Sequence, residues 1–308
     1  MTIFIRLLLL SALLCAVPVI IPAQMPEQPF SGKSAYAYLK KQCSFGPRNP
    51  GSTGHAACLE YLISELKKST SSVTTQRFLH RDAELDRPMQ MSNVIAHISG
   101  KNPGAQRILL AAHWDTRPRA DLDPDEENRD KPILGANDGA SGVAVLLELA
   151  RIMKDHPPPV PVDFLLTDGE DYGKEGDISN YFLGARHFAK NLPRYPYKFG
   201  ILLDMIGEKD LRIPKELYSV QMLPDLVDAV WKRAKDLGLS VFENRRGVRV
   251  QDDHDPLIQA GVPIIDIIDF DYKYWHTLED TPEKCSPESL EQVGRLMMSL
   301  VYEELTIW

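Results

Sequence analysis

Cysteine is scarce in this chain: four in 308 residues, none in a CxxC pair or a Cys/His cluster. That excludes a dense disulfide scaffold and a structural zinc finger. Clusters of lysine and arginine are also missing, and the net charge is −8, which argues against nucleic acid as a partner. The phosphate-cradling patterns GxxxxGK[ST] and GxGxxG are absent, so the glycine-rich stretch Gly135–Gly142 is a poor nucleotide site. No GxSxG or Cys/His signature offers a side-chain nucleophile. Beyond the N-terminus no apolar run is long enough to span a bilayer, and no linker or internal repeat divides the sequence.

What is present begins with a leader. Met1 to Arg6 carries one positive charge, Leu7 to Ile21 is almost wholly apolar, and Pro22-Ala23-Gln24 returns to polar sequence. Residues 1–24 read as a secretory signal peptide, and 25–308 as a single catalytic domain that is secreted or periplasmic, without stable membrane association once the leader is removed. The alternative, an uncleaved anchor, suffers from a run that is short for a full span. Cys43, Cys58 and Cys285 would remain in an oxidising compartment. A Cys43–Cys58 disulfide with Cys285 free is the expectation, against three unpaired, partly buried thiols.

The whole chain is 44% hydrophobic and 25% charged, ordinary for a globular protein. Helical periodicity predicts helices over 31–42, 55–67, 143–153, 179–191, 223–237 and 287–305. Short apolar runs predict strands over 73–78, 91–98, 107–112, 160–166, 199–204 and 262–268. Their alternation predicts an α/β fold: a single domain with a central, mostly parallel mixed sheet flanked by helices on both faces. A polar, acid-rich loop over 117–132 reads as solvated or mobile surface; its spacing matches no calcium-binding EF-hand.

The predicted strands end in chemistry. The stretch Leu166-Thr167-Asp168-Gly169-Glu170-Asp171 puts adjacent carboxylates after a buried strand, where unpaired charge is costly. His113 and Asp115 follow one strand and Asp204 ends another; Asp138 lies in the small-residue loop, Asp252-Asp253-His254 precedes Pro256, and Trp275-His276 follows the last strand. Such ends converge on one crevice in an open α/β sheet. Asp138, Asp171 and His276 would supply three ligands of the type zinc prefers, from three loops, leaving Glu170 as a general base. Alternation along an extended segment would point Glu170 away from the metal. Each residue alone has a plainer role: Asp138 as a helix cap, His113 as a core histidine, Asp204 as a turn residue, His276 as surface.

Taken together, Ala112-His113-Trp114-Asp115, Gly135-Ala136-Asn137-Asp138, Asp168-Gly169-Glu170-Asp171, Leu203-Asp204-Met205-Ile206-Gly207, Asp252-Asp253-His254-Asp255-Pro256 and Trp275-His276-Thr277 resemble the zinc peptidase family M28 and its glutaminyl cyclase branch. The resemblance runs from about Phe45 to the C-terminus and implies a zinc aminopeptidase-like (phosphorylase/hydrolase-like) fold. In the cyclases it implies one zinc ion (Zn2+) held by Asp138, Asp171 and His276. It also implies Glu170 as proton shuttle, Asp204 and Asp252 as an acidic network, Trp275 as a substrate wall, and peptides or proteins with N-terminal glutamine as substrates. In the aminopeptidases it implies two zinc ions, with His113 and Asp204 completing a second site bridged by Asp138. The paired Asp252-Asp253 and the aromatic Trp275 resemble the cyclases more. Asp266 departs from the histidine that animal cyclases carry there.

Overall fold

Single-residue alternation along the central strands sorts their side chains into two cores. Leu110 and Ala112, Phe164 and Leu166, Ile201 and Leu203 face the larger core, whereas Leu109 and Ala111, Leu165, and Leu202 face the smaller one. A strand apolar on both faces must be covered on both, and this sheet is. The computed structural model describes residues 26, 29–82, 88–174, 176–303 and 305. The leader expected over 1–24 lies outside them. Among the described residues no helix is long and apolar enough to cross a membrane.

The chain runs α1 (Gly32–Cys43), α2 (Thr53–Ser69), β1 (Val73–His80), β2 (Met89–Ile98), β3 (Arg107–His113), α3 (Ala140–Asp155), β4 (Val162–Thr167), α4 (Leu183–Lys190) and β5 (Tyr197–Asp204). It continues with β6 (Ile213–Lys215), α5 (Leu217–Met222), α6 (Pro224–Asp236), β7 (Phe242–Arg246), α7 (His254–Gln259), β8 (Ile264–Ile268) and α8 (Pro287–Tyr302). Six strands form one sheet in the order β1-β2-β4-β3-β5-β8, and β6 pairs with β7 separately. The β1–β2 and β2–β4 pairs are antiparallel, while β4–β3, β3–β5 and β5–β8 are parallel. The expected mixed, mostly parallel α/β architecture is present. Helices α1, α2, α3 and α8 cover one face, and α4 with α7 covers the other.

Local chemistry sets several boundaries. Ser31, Ser52 and Ser286 cap α1, α2 and α8 by accepting backbone amides three residues on. Gly142 lets α3 lie against β5, because a Cβ there would meet the Leu203 carbonyl at 2.2 Å. The small-residue loop therefore serves close helix–strand packing.

Three expectations change. The helix expected over 179–191 starts only at Leu183, because Phe182 adopts a left-handed φ of 58°. The Phe182 amide instead donates to the Glu170 carbonyl at 2.9 Å, tying this break to the segment that follows β4. The Cys43–Cys58 disulfide is not formed: Cys43, Cys58 and Cys285 are free, buried thiols. Burial pushes the Cys43 and Cys58 thiols up to about 12, so they pack as small apolar groups. The acidic loop is not uniformly solvated, since Asp123 is buried and its side chain accepts the Leu278 amide at 3.0 Å.

Candidate active site

The carboxyl ends of β3, β4, β5 and β8 open into one cavity of about 550 Å³ lined by Asp138, Glu170, Asp171, Asp204, Asp252, Trp275 and His276 among others. The site residues anticipated at the strand ends thus come together, and His113 lies directly beneath them.

Asp138, Asp171 and His276 form one buried group able to hold a cation; His113, Asp138 and Asp204 form a second. In the first, His276 Nε2 lies 3.3 Å from Asp171 Oδ2 and 3.6 Å from Asp138 Oδ2. Neither of those carboxylate oxygens has a hydrogen-bond partner among the described residues. Buried, unpartnered oxygens facing an imidazole nitrogen are what a divalent cation would satisfy, and this donor set fits zinc. In the second group, His113 Nε2 lies 3.2 Å from Asp138 Oδ1 and 3.1 Å from Asp204 Oδ1. Asp138 is shared, one oxygen turned to each group.

Two buried carboxylates that the sequence reading left without a role hold the backbone of the site. Asp115 accepts the Glu170 amide at 3.1 Å through Oδ1 and the Asp171 amide at 3.4 Å through Oδ2. Asp280 accepts the Asn137 amide at 2.8 Å and the Asp138 amide at 3.1 Å, and its Oδ1 also accepts the Tyr272 hydroxyl at 2.8 Å. Asp138 is therefore no helix cap; Gly139 occupies that position without a side-chain bond. Nor does strand alternation separate Glu170 from Asp171. Residues 168–171 form a turn, with Gly169 at a φ of 72°. Both side chains line the cavity, but Asp171 alone joins Asp138 and His276.

The electrostatics follow from burial. Burial pushes the Glu170 carboxyl well above the ordinary range; His113 opposes this, and the charges of Asp252, Asp171 and Asp253 reinforce it. Burial likewise raises Asp252, helped by Asp204 and Asp253, and raises Asp138, helped by Asp171. Asp171 goes the other way: burial pushes it up, but His276 and Arg117 more than offset that and hold it below the ordinary range. Burial also opposes charge on His113, yet the nearby carboxylates of Asp115, Asp138 and Asp204 outweigh it and lift the imidazole well above its ordinary value.

Trp275 packs beside His276, its ring centroid 3.9 Å from that of His276 and 4.8 Å from that of Phe270. Asp266 is buried behind the site, with His254 Nδ1 at 3.9 Å from its Oδ2. Burial first, then Asp252 and Glu216, pushes its carboxyl well above the ordinary range. Gln251 also lines the cavity, and so do Tyr181, Phe182 and Arg249, which were not anticipated.

A mostly parallel sheet whose strand ends gather buried His/Asp metal-type groups is the architecture of the zinc exopeptidases. The chain belongs to peptidase family M28, whose family profile matches residues 93–301. It is similar to a solved Zn-dependent exopeptidase from Parabacteroides distasonis, with a TM-score of 0.86 and 36% identity covering 91% of this chain and 100% of that one. It is equally similar to a glutaminyl cyclase from Bacteroides thetaiotaomicron solved with N-acetylhistamine, with a TM-score of 0.85 and 37% identity covering 90% of this chain and 99% of that one. The glutaminyl-peptide cyclotransferase of Bos taurus is 25% identical over 294 residues, 84% of this chain and 78% of the relative.

Proposed function

We propose that the chain is a glutaminyl-peptide cyclotransferase, converting the N-terminal glutamine of peptides or proteins to pyroglutamate with release of ammonia. One observation carries this reading. Asp252, Asp204 and Glu170 line one cavity together with Asp138, Asp171 and His276, which puts a cluster of acids beside the metal-type group. The 37% identity to a solved glutaminyl cyclase over 90% of this chain supports it.

Asp138, Asp171 and His276 would hold a single zinc ion. When bound, that ion supplies a Lewis acid for the γ-carbonyl of the glutamine side chain. The chain's own residues do the rest. Trp275 walls the pocket and orients the short side chain. Glu170, in its carboxylate form, takes a proton from the α-amine as the nitrogen attacks the carbonyl carbon of the side-chain amide. It then gives that proton to the departing amide nitrogen, so ammonia leaves and the carboxylate is regenerated. Asp252 lends negative charge that strengthens Glu170's hold on that proton, and Asp204 stands beside Asp252 in the same acidic cluster. Attack is intramolecular, so holding the amine over the carbonyl supplies much of the rate.

A dizinc M28 aminopeptidase is the second reading, favoured by the ligand-like spacing of His113, Asp138 and Asp204. One assay separates the two. Zinc-reconstituted protein is given a Gln-initiated peptide and a leucine derivative that cannot cyclise. Pyroglutamate and ammonia from the first, with the second untouched, is the expected result. Release of leucine, with two tightly held zinc ions per chain, would replace the cyclase by the aminopeptidase.

A further inference from the structure

The acidic loop has no task in the mechanism above, yet it is built into the back of the metal-type group. Arg117 is buried. Its Nε donates to Asp121 Oδ1 at 2.7 Å and its Nη2 to Asp121 Oδ2 at 2.6 Å, a two-pronged pairing that fixes both planes. Its Nη1 donates to Asp171 Oδ1 at 2.6 Å, and Nη2 also reaches the Tyr181 hydroxyl at 3.0 Å. Asp121 Oδ1 in turn lies 3.7 Å from His276 Nδ1. Asp171, Arg117, Asp121 and His276 thus close a ring behind Asp171 Oδ2 and His276 Nε2, which lie 3.3 Å apart.

The backbone is joined at the same place. The Leu122 amide donates to the His276 carbonyl at 3.2 Å, and Asp123 Oδ2 accepts the Leu278 amide at 3.0 Å. Between those two bonds His276 adopts a φ of 56°, a left-handed conformation that non-glycine residues rarely hold without outside support. The outer acids of the loop, Asp125, Glu126, Glu127 and Asp130, are exposed and take no part.

We propose that Asp121, acting through Arg117 and His276, is a positioning residue for metal binding. This rests on Asp138, Asp171 and His276 being the metal-holding set. Arg117 occupies one oxygen of Asp171 and leaves the other for the cation. A guanidinium so close would repel a cation unless its charge were cancelled, and the Asp121 carboxylate cancels it. The same carboxylate lies 3.7 Å from His276 Nδ1, on the ring edge away from Nε2, and so orients the imidazole with Nε2 toward Asp171 and Asp138.

Zinc affinity, measured on the full chain by competition with a chromogenic chelator, tests this. Asp121→Asn keeps the size and loses the charge; on a partly exposed loop side chain it should still fold. Its zinc affinity should fall by about 10–100-fold, Asp121→Glu should recover most of the loss, and Asp130→Asn should match wild type. The zinc-induced rise in melting temperature should shrink in Asp121→Asn while the zinc-free protein melts as before. Zinc held as tightly by Asp121→Asn as by wild type overturns the proposal, as does a drop in zinc-free stability with zinc affinity unchanged. A wild-type chain that takes up no zinc would instead overturn the metal reading on which the proposal rests.

Discussion

Asp115 holds Glu170 by its backbone: the Asp115 carboxylate accepts the Glu170 amide at 3.1 Å and, through its other oxygen, the next amide at 3.4 Å. One buried side chain thereby sets the turn that carries both the proposed base and a proposed metal ligand. Asp280 does the same for the loop that carries Asp138. Both are carboxylates accepting amides, an arrangement that fixes a backbone without entering the cavity.

Asp115→Asn tests how much that clamp contributes. Asparagine keeps one acceptor and turns an amide donor toward the second N–H. The turn should shift by a fraction of an ångström, and kcat should fall by about 10–100-fold, with KM changed less. Steady-state ammonia release from a Gln-initiated peptide measures it. An unchanged kcat would mean that the turn is held by other bonds, such as the Phe182 amide on the Glu170 carbonyl.

Glu170→Gln separates proton transfer from metal binding. The side chain keeps its volume and loses its basicity, so turnover should drop by about 10²–10⁴-fold. Zinc content should stay at the wild-type level, because Asp138, Asp171 and His276 are intact. Loss of metal from this variant would show that Glu170 is a ligand and that the roles within the Glu170-Asp171 pair are reversed.

Much of this organisation was legible in the sequence because burial on both sheet faces leaves uninterrupted apolar runs, and Leu109–Ala112, Phe164–Leu166 and Ile201–Leu203 are such runs. A residue that ends one of them arrives at the crevice whatever the loops do, which is why His113, Asp171 and Asp204 were found. The roles of Asp115, Asp280 and Asp121 were hidden for a physical reason. Their partners are backbone amides or an arginine brought near by loop conformation, and neither leaves a period in the sequence. β7 was missed because Phe242–Arg246 is largely exposed and carries no apolar alternation. α5 and α7 are too short to show a helical period. The strand alternation expected at Glu170 and Asp171 is absent, because β4 ends at Thr167 and a glycine bend follows.

The pH dependence of turnover follows from the direction in which Glu170 is displaced. Burial raises its carboxyl, and the negative charge of Asp252 adds to the rise. A raised base becomes competent only as pH climbs through its elevated pKa, so kcat/KM should rise with pH on a limb above the ordinary glutamate range. Asp252→Asn removes one like charge, which weakens Glu170's hold on its proton and should move the limb to lower pH even as the maximum rate falls. Profiles of kcat/KM against pH for the two proteins, both zinc-loaded, would show it. A limb that stays in place would mean that Asp252 does not share a field with Glu170.

Glu216 supplies a stability test outside the groups built on Asp138. Its buried carboxylate accepts the amides of Tyr218, Ser219 and Val250 at 2.8, 2.5 and 3.0 Å, with His254 Nε2 at 3.4 Å. Burial pushes the carboxyl up, but His254 and the three amides outweigh it and hold it at about 2, below its ordinary 4.5. A depressed acid stabilises the fold while it is ionised in both states, and the benefit is lost as pH falls from the unfolded value toward the folded one. Wild-type and Glu216→Gln protein, both zinc-free, should therefore differ by on the order of 2 kcal/mol in urea unfolding at pH 7. That gap should narrow between pH 4.5 and about 2, where the wild-type carboxylate takes up its proton. A gap that stays constant across the window would mean that the variant suffers from lost packing and that the charge of Glu216 contributes nothing.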